Sequence, residues 1–183
     1  MANLNWKYKI IPKIFSSKEL RILNDYCKAK HFSNQTNFDV DQNNNGDTFF
    51  YRDILMDAYL KDKKKIFEKY SNLKLEETYS FWRCYTFNAE LEKHIDRNAC
   101  EISTTIAIGS DGVEWPIYID GNPINLKPGD GVIYKGREYE HWREPYTGDY
   151  HIQLFLHYVD ANGPLARHAG DLHNEKKKRG PQG

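Results

Sequence analysis

The sequence predicts a mainly β (α+β) domain, a jelly roll or sandwich with two helices ahead of it. The 13 tyrosines and 9 phenylalanines, together with the β-branched residues, concentrate β preference in the C-terminal two-thirds. At Glu77 the hydrophobic period changes from helical spacing to the runs expected of strands. Beyond it, short apolar segments recur between turn signals, as the strands of a sandwich do. A chain of 183 residues suits one domain that buries about two-thirds of its unfolded surface, so no disulfide or metal is needed merely to hold it together. The expected division is a domain over 1–163, helical to about residue 75 with a β core over about 76–160, and a tail over 164–183.

The elements follow in order. In Ser16-Ser17-Lys18-Glu19-Leu20 a serine cap precedes an acidic first turn, and Leu20, Leu23 and Cys27 follow at apolar positions, which predicts a helix over about 17–30. Residues 34–47 are crowded with Asn, Asp and Gly and read as a loop. From Arg52 to Asn72, residues Ile54, Leu55, Ala58, Tyr59, Ile66 and Phe67 fit one buried helical stripe, with the lysines at 63–65 on its solvated face. Strands are expected in TYSFWRCYTF, EISTTIAIG, WPIYID, GVIYK and DYHIQLFLHYV, separated by SDG, DGNP and KPGD. From Pro164 the periodicity is lost and the chain ends in EKKKRGPQG, a mobile or loosely docked tail.

Composition narrows the partners. Lys plus Arg equals Asp plus Glu at 26 each, so the overall field favours neither nucleic acid nor an anionic membrane. A specific partner is expected, a peptide, a protein or a small molecule. Cys27, Cys84 and Cys100 are odd in number and lack a C-x-x-C spacing, which fits a reducing, cytoplasmic setting. No run of about 18 apolar residues occurs, so a soluble protein is expected.

The chemistry is concentrated in His94-Ile95-Asp96. On a strand, residues two apart share a face, so His94 and Asp96 are able to grip one ion. His141 follows 47 positions after His94, beyond an apolar strand that is able to fold back beside the pair. Two histidines and a carboxylate form a facial triad suited to non-haem Fe(II), with three positions open. The same ligands also suit zinc with a hydrolytic water.

The order Phe81-Trp82-Arg83-Cys84-Tyr85, His94-Ile95-Asp96, a strand from Glu101 to Ile108, Lys127-Pro128-Gly129-Asp130 and His141 resembles the Fe(II)/2-oxoglutarate-dependent dioxygenases, most of all their prolyl-4-hydroxylase-like group, over about residues 78–160. The resemblance implies a double-stranded β-helix with iron at one open end. His94, Asp96 and His141 would hold Fe(II), 2-oxoglutarate would chelate it, and O2 would drive hydroxylation of a C–H bond with release of succinate. Relatives in that group act on proline in peptides.

Such enzymes usually hold the distal carboxylate of 2-oxoglutarate with an arginine or lysine on the last main strand. This chain has His151 there, and no lysine or arginine lies between Glu144 and Pro164. Strand parity places His151, Gln153, Phe155 and His157 on one face, and Phe81, Arg83 and Tyr85 on one face of an earlier strand. Parity makes Arg83, His151 and Gln153 expected co-substrate residues, with Arg83 supplying the charge, and the resemblance adds Tyr85, near whose position related enzymes place a co-substrate-binding tyrosine. The plainer roles are an ion pair for Arg83 and core packing for Tyr85. Arg97, Trp142 and Arg143 are the expected substrate residues. Arg97 would alternatively orient Asp96, Arg143 would alternatively form a structural ion pair, and Trp142 would alternatively close the barrel mouth with Trp115. Two other functions stay open, a jelly-roll binding module without co-substrate turnover and a zinc hydrolase.

Overall fold

Two capped helices open the domain. In the first, α1 (Ser17–Phe32), Ser16 and Glu19 cap each other's backbone N–H groups reciprocally. In the second, α2 (Ile54–Ser71), the Asp53 carboxylate accepts from Leu55 N and Asn72 ends the helix in the left-handed region. The structure, a computed structural model, describes residues 6–33 and 47–171. The expected loop therefore lies outside the described residues except at Asp47, and so does the basic run near the C-terminus.

Ten strands form two antiparallel sheets among the described residues: β1 (Tyr8–Ile11), β2 (Thr48–Tyr51), β3 (Leu75–Tyr85), β4 (Leu91–His94), β5 (Ile102–Ser110), β6 (Ile117–Ile119), β7 (Asn122–Ile124), β8 (Gly131–Tyr134), β9 (His141–Arg143) and β10 (His151–Asp160). The six-stranded sheet has the order β1-β8-β5-β10-β3-β2, and the four-stranded sheet the order β4-β9-β6-β7. This is the expected jelly roll with helices ahead of it. The first 75 residues are less helical than expected, because β1 and β2 complete the two edges of the larger sheet.

Strand parity decides what each face buries. On β10, Ile152, Leu154, Leu156 and Tyr158 pack outward with Trp82, Cys84 and Ile106 against Leu23, Cys27, Met56, Leu60 and Phe67 of the helices. His151, Gln153, Phe155 and His157 point inward, as do Phe81, Arg83 and Tyr85 of β3, which β10 pairs residue for residue. Ile117, Ile119 and Ile124 of the smaller sheet meet Val132 and Tyr134 between the layers.

Two details depart from the sequence reading. Lys63 is buried rather than solvated, and its Nζ binds Glu19 Oε1 at 2.8 Å and Asp62 at 3.0 Å, tying α2 to the cap of α1. Residues 164–171, the described part of the expected tail, are docked at a few points rather than free: Leu165 is buried, Gly170 N donates to Glu77 O, and the Asp171 carboxylate accepts from Arg97 and Tyr51.

Candidate metal centre

The smaller sheet builds the centre. β4 and β9 pair antiparallel with His94 opposite His141, which places the two imidazoles 4.3 Å apart between ring centroids. The strand ends at His94, so Asp96 is not on it as the sequence suggested. Asp96 is instead brought in by its own N–H, which donates to Gly136 O at 2.8 Å. Asp96 Oδ1 lies 3.5 Å from Nε2 of both His94 and His141. All three ligand atoms fall within 4.8 Å of one another.

The polarity of the site suits a cation. His94 Nδ1 is 2.7 Å from Glu92 O and His141 Nδ1 is 3.0 Å from Tyr139 O. A carbonyl only accepts, so each Nδ1 carries the proton and each Nε2 turns a lone pair toward the centre. Burial by itself would raise the Asp96 carboxyl, but in the metal-free protein a proton taken up at Nε2 of His141 or His94, where a cation would otherwise sit, outweighs it and holds Asp96 well below the usual carboxylate range. Burial pushes His94 down, but its contacts with Asp96 and with the Glu92 carbonyl together leave its pKa raised.

Asp96 is held from behind by residues the sequence reading missed. Ser103 Oγ donates to Asp96 Oδ2 at 2.6 Å and lies 3.0 Å from His157 Nδ1. Burial lowers the His157 pKa to about 4, so this histidine is neutral and donates to the serine. Gly136 is buried against the same carboxylate, and a Cβ there would collide with Asp96 Oδ2 and come within 2.7 Å of Ser103 Oγ. The hydroxyl run in EISTT was the available signal for Ser103, since its parity faces inward. Gly136 has no local signal. Asp96, Cys100 and His157 also cluster, but burial pushes the Cys100 thiol far up and keeps it protonated, a poor ligand.

Beside the ligands a cavity of about 210 Å³ is walled by Tyr79, Phe81, Tyr85 and Phe155, with Tyr51, Arg97 and Arg83 also lining it. Tyr85 lines this cavity as expected. Arg83 lines it too, but its charge is met by Asp47: Nε donates to Asp47 Oδ2 at 2.6 Å and both side chains are buried. That pair corrects the expectation that Arg83 carries an uncommitted charge. Arg97 is engaged with Asp171 and Tyr51 and stacks on Tyr79, while the bond that orients Asp96 comes from Ser103. Trp142 faces away from the cavity, stacked on Tyr118 and bonded to Glu144, which does not suit the expected substrate contact. Arg143 points inward with His141 and is buried, its pKa lowered to about 10 by burial. His151 and Gln153 lie against the ring of Trp115 or bond one another, and burial together with Arg143 lowers the His151 pKa to about 3.

No family model matches the sequence, and no curated protein does. Solved structures do match by fold. A Pseudomonas putida prolyl-4-hydroxylase aligns with a TM-score of 0.68 over 85% of this chain and 94% of its own, at 18% identity. The non-haem alpha-ketoglutarate-dependent carbocyclase SnoK of nogalamycin biosynthesis aligns at 0.71 over 96% and 87%, with 14% identity. A Trichoplax adhaerens prolyl hydroxylase, solved with a peptide fragment of hypoxia inducible factor, aligns at 0.65 over 84% of each chain, with 14% identity. The chain thus has the double-stranded β-helix fold of the 2-oxoglutarate/Fe(II) oxygenases. Prolyl hydroxylases are among the proteins that share it.

Proposed function

We propose that this protein is an Fe(II)- and 2-oxoglutarate-dependent dioxygenase that hydroxylates a C–H bond. The observation that carries the reading is the convergence of His94 Nε2, His141 Nε2 and Asp96 Oδ1, with both Nδ1 protons tied to backbone carbonyls and the carboxylate held ionised. This is the two-histidine, one-carboxylate set of non-haem iron oxygenases, and it leaves positions open for other ligands. With Fe(II) and 2-oxoglutarate bound, O2 supplies C–H hydroxylation coupled to decarboxylation of the co-substrate to succinate.

The chain's own residues do the rest. His94, Asp96 and His141 hold the ion, and Ser103 keeps Asp96 aimed at it. Tyr79, Phe81 and Phe155 wall the cavity and exclude water. Arg97 and Tyr51 also line it and are proposed to meet the substrate. The proposed substrate is a prolyl residue of a peptide or protein. Aromatic walls suit a compact saturated ring, Arg83 and Arg97 are each ion-paired, and two of the fold's neighbours are prolyl hydroxylases, one of them solved with a peptide. The three cysteines are free and buried, which supports a reducing, cytoplasmic setting.

Anaerobic addition of Fe(II) and 2-oxoglutarate is expected to give a visible charge-transfer band, and admitting oxygen is expected to release succinate. Lack of both at full metal occupancy refutes the assignment. Succinate release across a panel of proline peptides, free amino acids and other protein side chains tests the substrate class.

A further inference from the structure

On β9, His141 and Arg143 share the inward face, about 6–7 Å apart along the strand. Arg143 is 2% exposed. Its Nη1 donates to Trp115 O and its guanidinium lies 4.6 Å above the Trp115 ring, yet Nε and Nη2 have no hydrogen-bond partner among the described residues. From β10, on the other sheet, His151 packs on the same ring at 5.2 Å. Thr105 Oγ1 donates to Gln153 Oε1 at 2.8 Å, so the Gln153 amide nitrogen, 2.6 Å from His151 Nε2, is the donor in that contact. The His151 proton therefore resides on Nδ1, which is also buried and unpartnered.

This end of the barrel gathers a buried cation and an oriented imidazole N–H, with unused donors on both. Native interiors rarely leave such groups unsatisfied, and an unpaired buried charge costs several kcal/mol. The group that completes them is an acceptor with negative charge, and a planar carboxylate matches a guanidinium edge. Arg83 differs in kind, since Asp47 already faces it.

We propose that Arg143, assisted by His151 Nδ1–H, binds the distal carboxylate of the 2-oxo dicarboxylate co-substrate, so that the anchoring cation stands on the same strand as the metal ligand His141. The proposal rests on the metal-centre reading above. It makes Arg143 a co-substrate residue rather than a substrate residue, and it makes the histidine on the last strand an accessory donor. The fixed spacing between His141 and Arg143 selects chain length, so oxaloacetate, one methylene shorter, binds more weakly than 2-oxoglutarate.

The test loads the full chain anaerobically with Fe(II) and titrates 2-oxoglutarate against 2-oxopentanoate, which has the same length but ends in a methyl group. Binding is read by calorimetry and by the visible band. Wild type is expected to prefer 2-oxoglutarate by roughly 10- to 100-fold. Arg143→Met should erase that preference while leaving Fe(II) affinity and 2-oxopentanoate binding in place, and Arg143→Lys should keep part of it. If Arg143→Met does not fold, His151→Phe serves instead and should shrink the preference several-fold. A preference that survives in Arg143→Met, or in His151→Phe where that variant stands in, overturns the proposal. A wild type that binds both oxo acids equally overturns the anchor but leaves the metal reading intact, whereas a metal-loaded wild type that binds neither overturns the metal reading and the anchor with it.

Discussion

The two sheets differ in length and in load: the larger one carries the helix-facing core, and the smaller one carries the two proposed histidine ligands. In the six-stranded sheet, β3 runs for 11 residues and β10 for 10, and the outer faces of both are sealed under α1 and α2. In the four-stranded sheet, strands have only three or four residues, yet that sheet carries His94, His141 and Arg143. Long strands accumulate burial and ladder bonds. Short ones end quickly, and a strand that ends at His94 lets the next turn swing Asp96 into the centre. The proposed ligands therefore sit away from the helix-facing core, which predicts that each sheet can be damaged with the other left working.

The largest effect expected is on the smaller sheet. His94→Ala removes a proposed ligand whose side chain is 38% exposed, so turnover should fall by about three orders of magnitude or more while the thermal midpoint hardly moves. Succinate formation and a melting curve on the same sample check both halves. The converse damage is Leu154→Ala on β10, a residue with no exposure in the helix-facing core. It should cost about 2–5 kcal/mol of stability, and the turnover of the molecules that remain folded should be unchanged. If Leu154→Ala also abolished Fe(II) binding in the folded protein, the separation would be wrong.

A smaller effect separates the sheets by pH. His151 and His157, both on β10, have folded pKa values lowered mainly by burial to about 3 and about 4. The unfolded chain takes up protons below pH 6.5 that these folded histidines refuse, so stability falls as pH drops from about 6.5 toward 4, by up to about 1.4 kcal/mol per unit for each. His94 on the smaller sheet is shifted upward and acts in the opposite sense, since protonating it favours the folded state. By pH 5 each of these two histidines should cost the metal-free protein on the order of 2 kcal/mol, offset in part by His94, and His157→Asn should flatten the slope. Denaturant midpoints against pH measure it. A slope unchanged in His157→Asn would place the loss elsewhere.

The same division explains what the sequence made legible. The parity of β3 and β10 was readable because long strands repeat their alternation, and so the inward set His151, Gln153, Phe155 and His157 and the outward set Ile152, Leu154 and Leu156 were both foreseen. Strands such as β4, β7 and β9 are too short to show a period, and β1 and β2 lie among helical and turn-rich segments. His94 and His141 were found by spacing and family resemblance, and their direct opposition across β4 and β9 was not. Charge partners were the least legible. Asp47 sits 36 positions from Arg83 at the end of a turn-rich stretch, so nothing local marked Arg83 as already paired, or Arg143 as lacking a charge partner among the described residues.

Ser103 is where the separation should be weakest, and its effect the smallest of the series. It belongs to β5 of the larger sheet, but its hydroxyl holds Asp96 Oδ2 at 2.6 Å, and Asp96 serves the other sheet's centre. Ser103→Ala removes few contacts from the core, so stability should change by about 1 kcal/mol or less. The freed carboxylate would lose its fixed aim, and hydrogen-bond partners of this kind are worth about 10-fold in metal affinity at the low end of the usual range. A competition titration with a chelator, compared between wild type and Ser103→Ala, reads that number directly. Equal affinities would mean that Asp96 is positioned by its backbone bond to Gly136 alone, and the two sheets would then be independent even at their closest link.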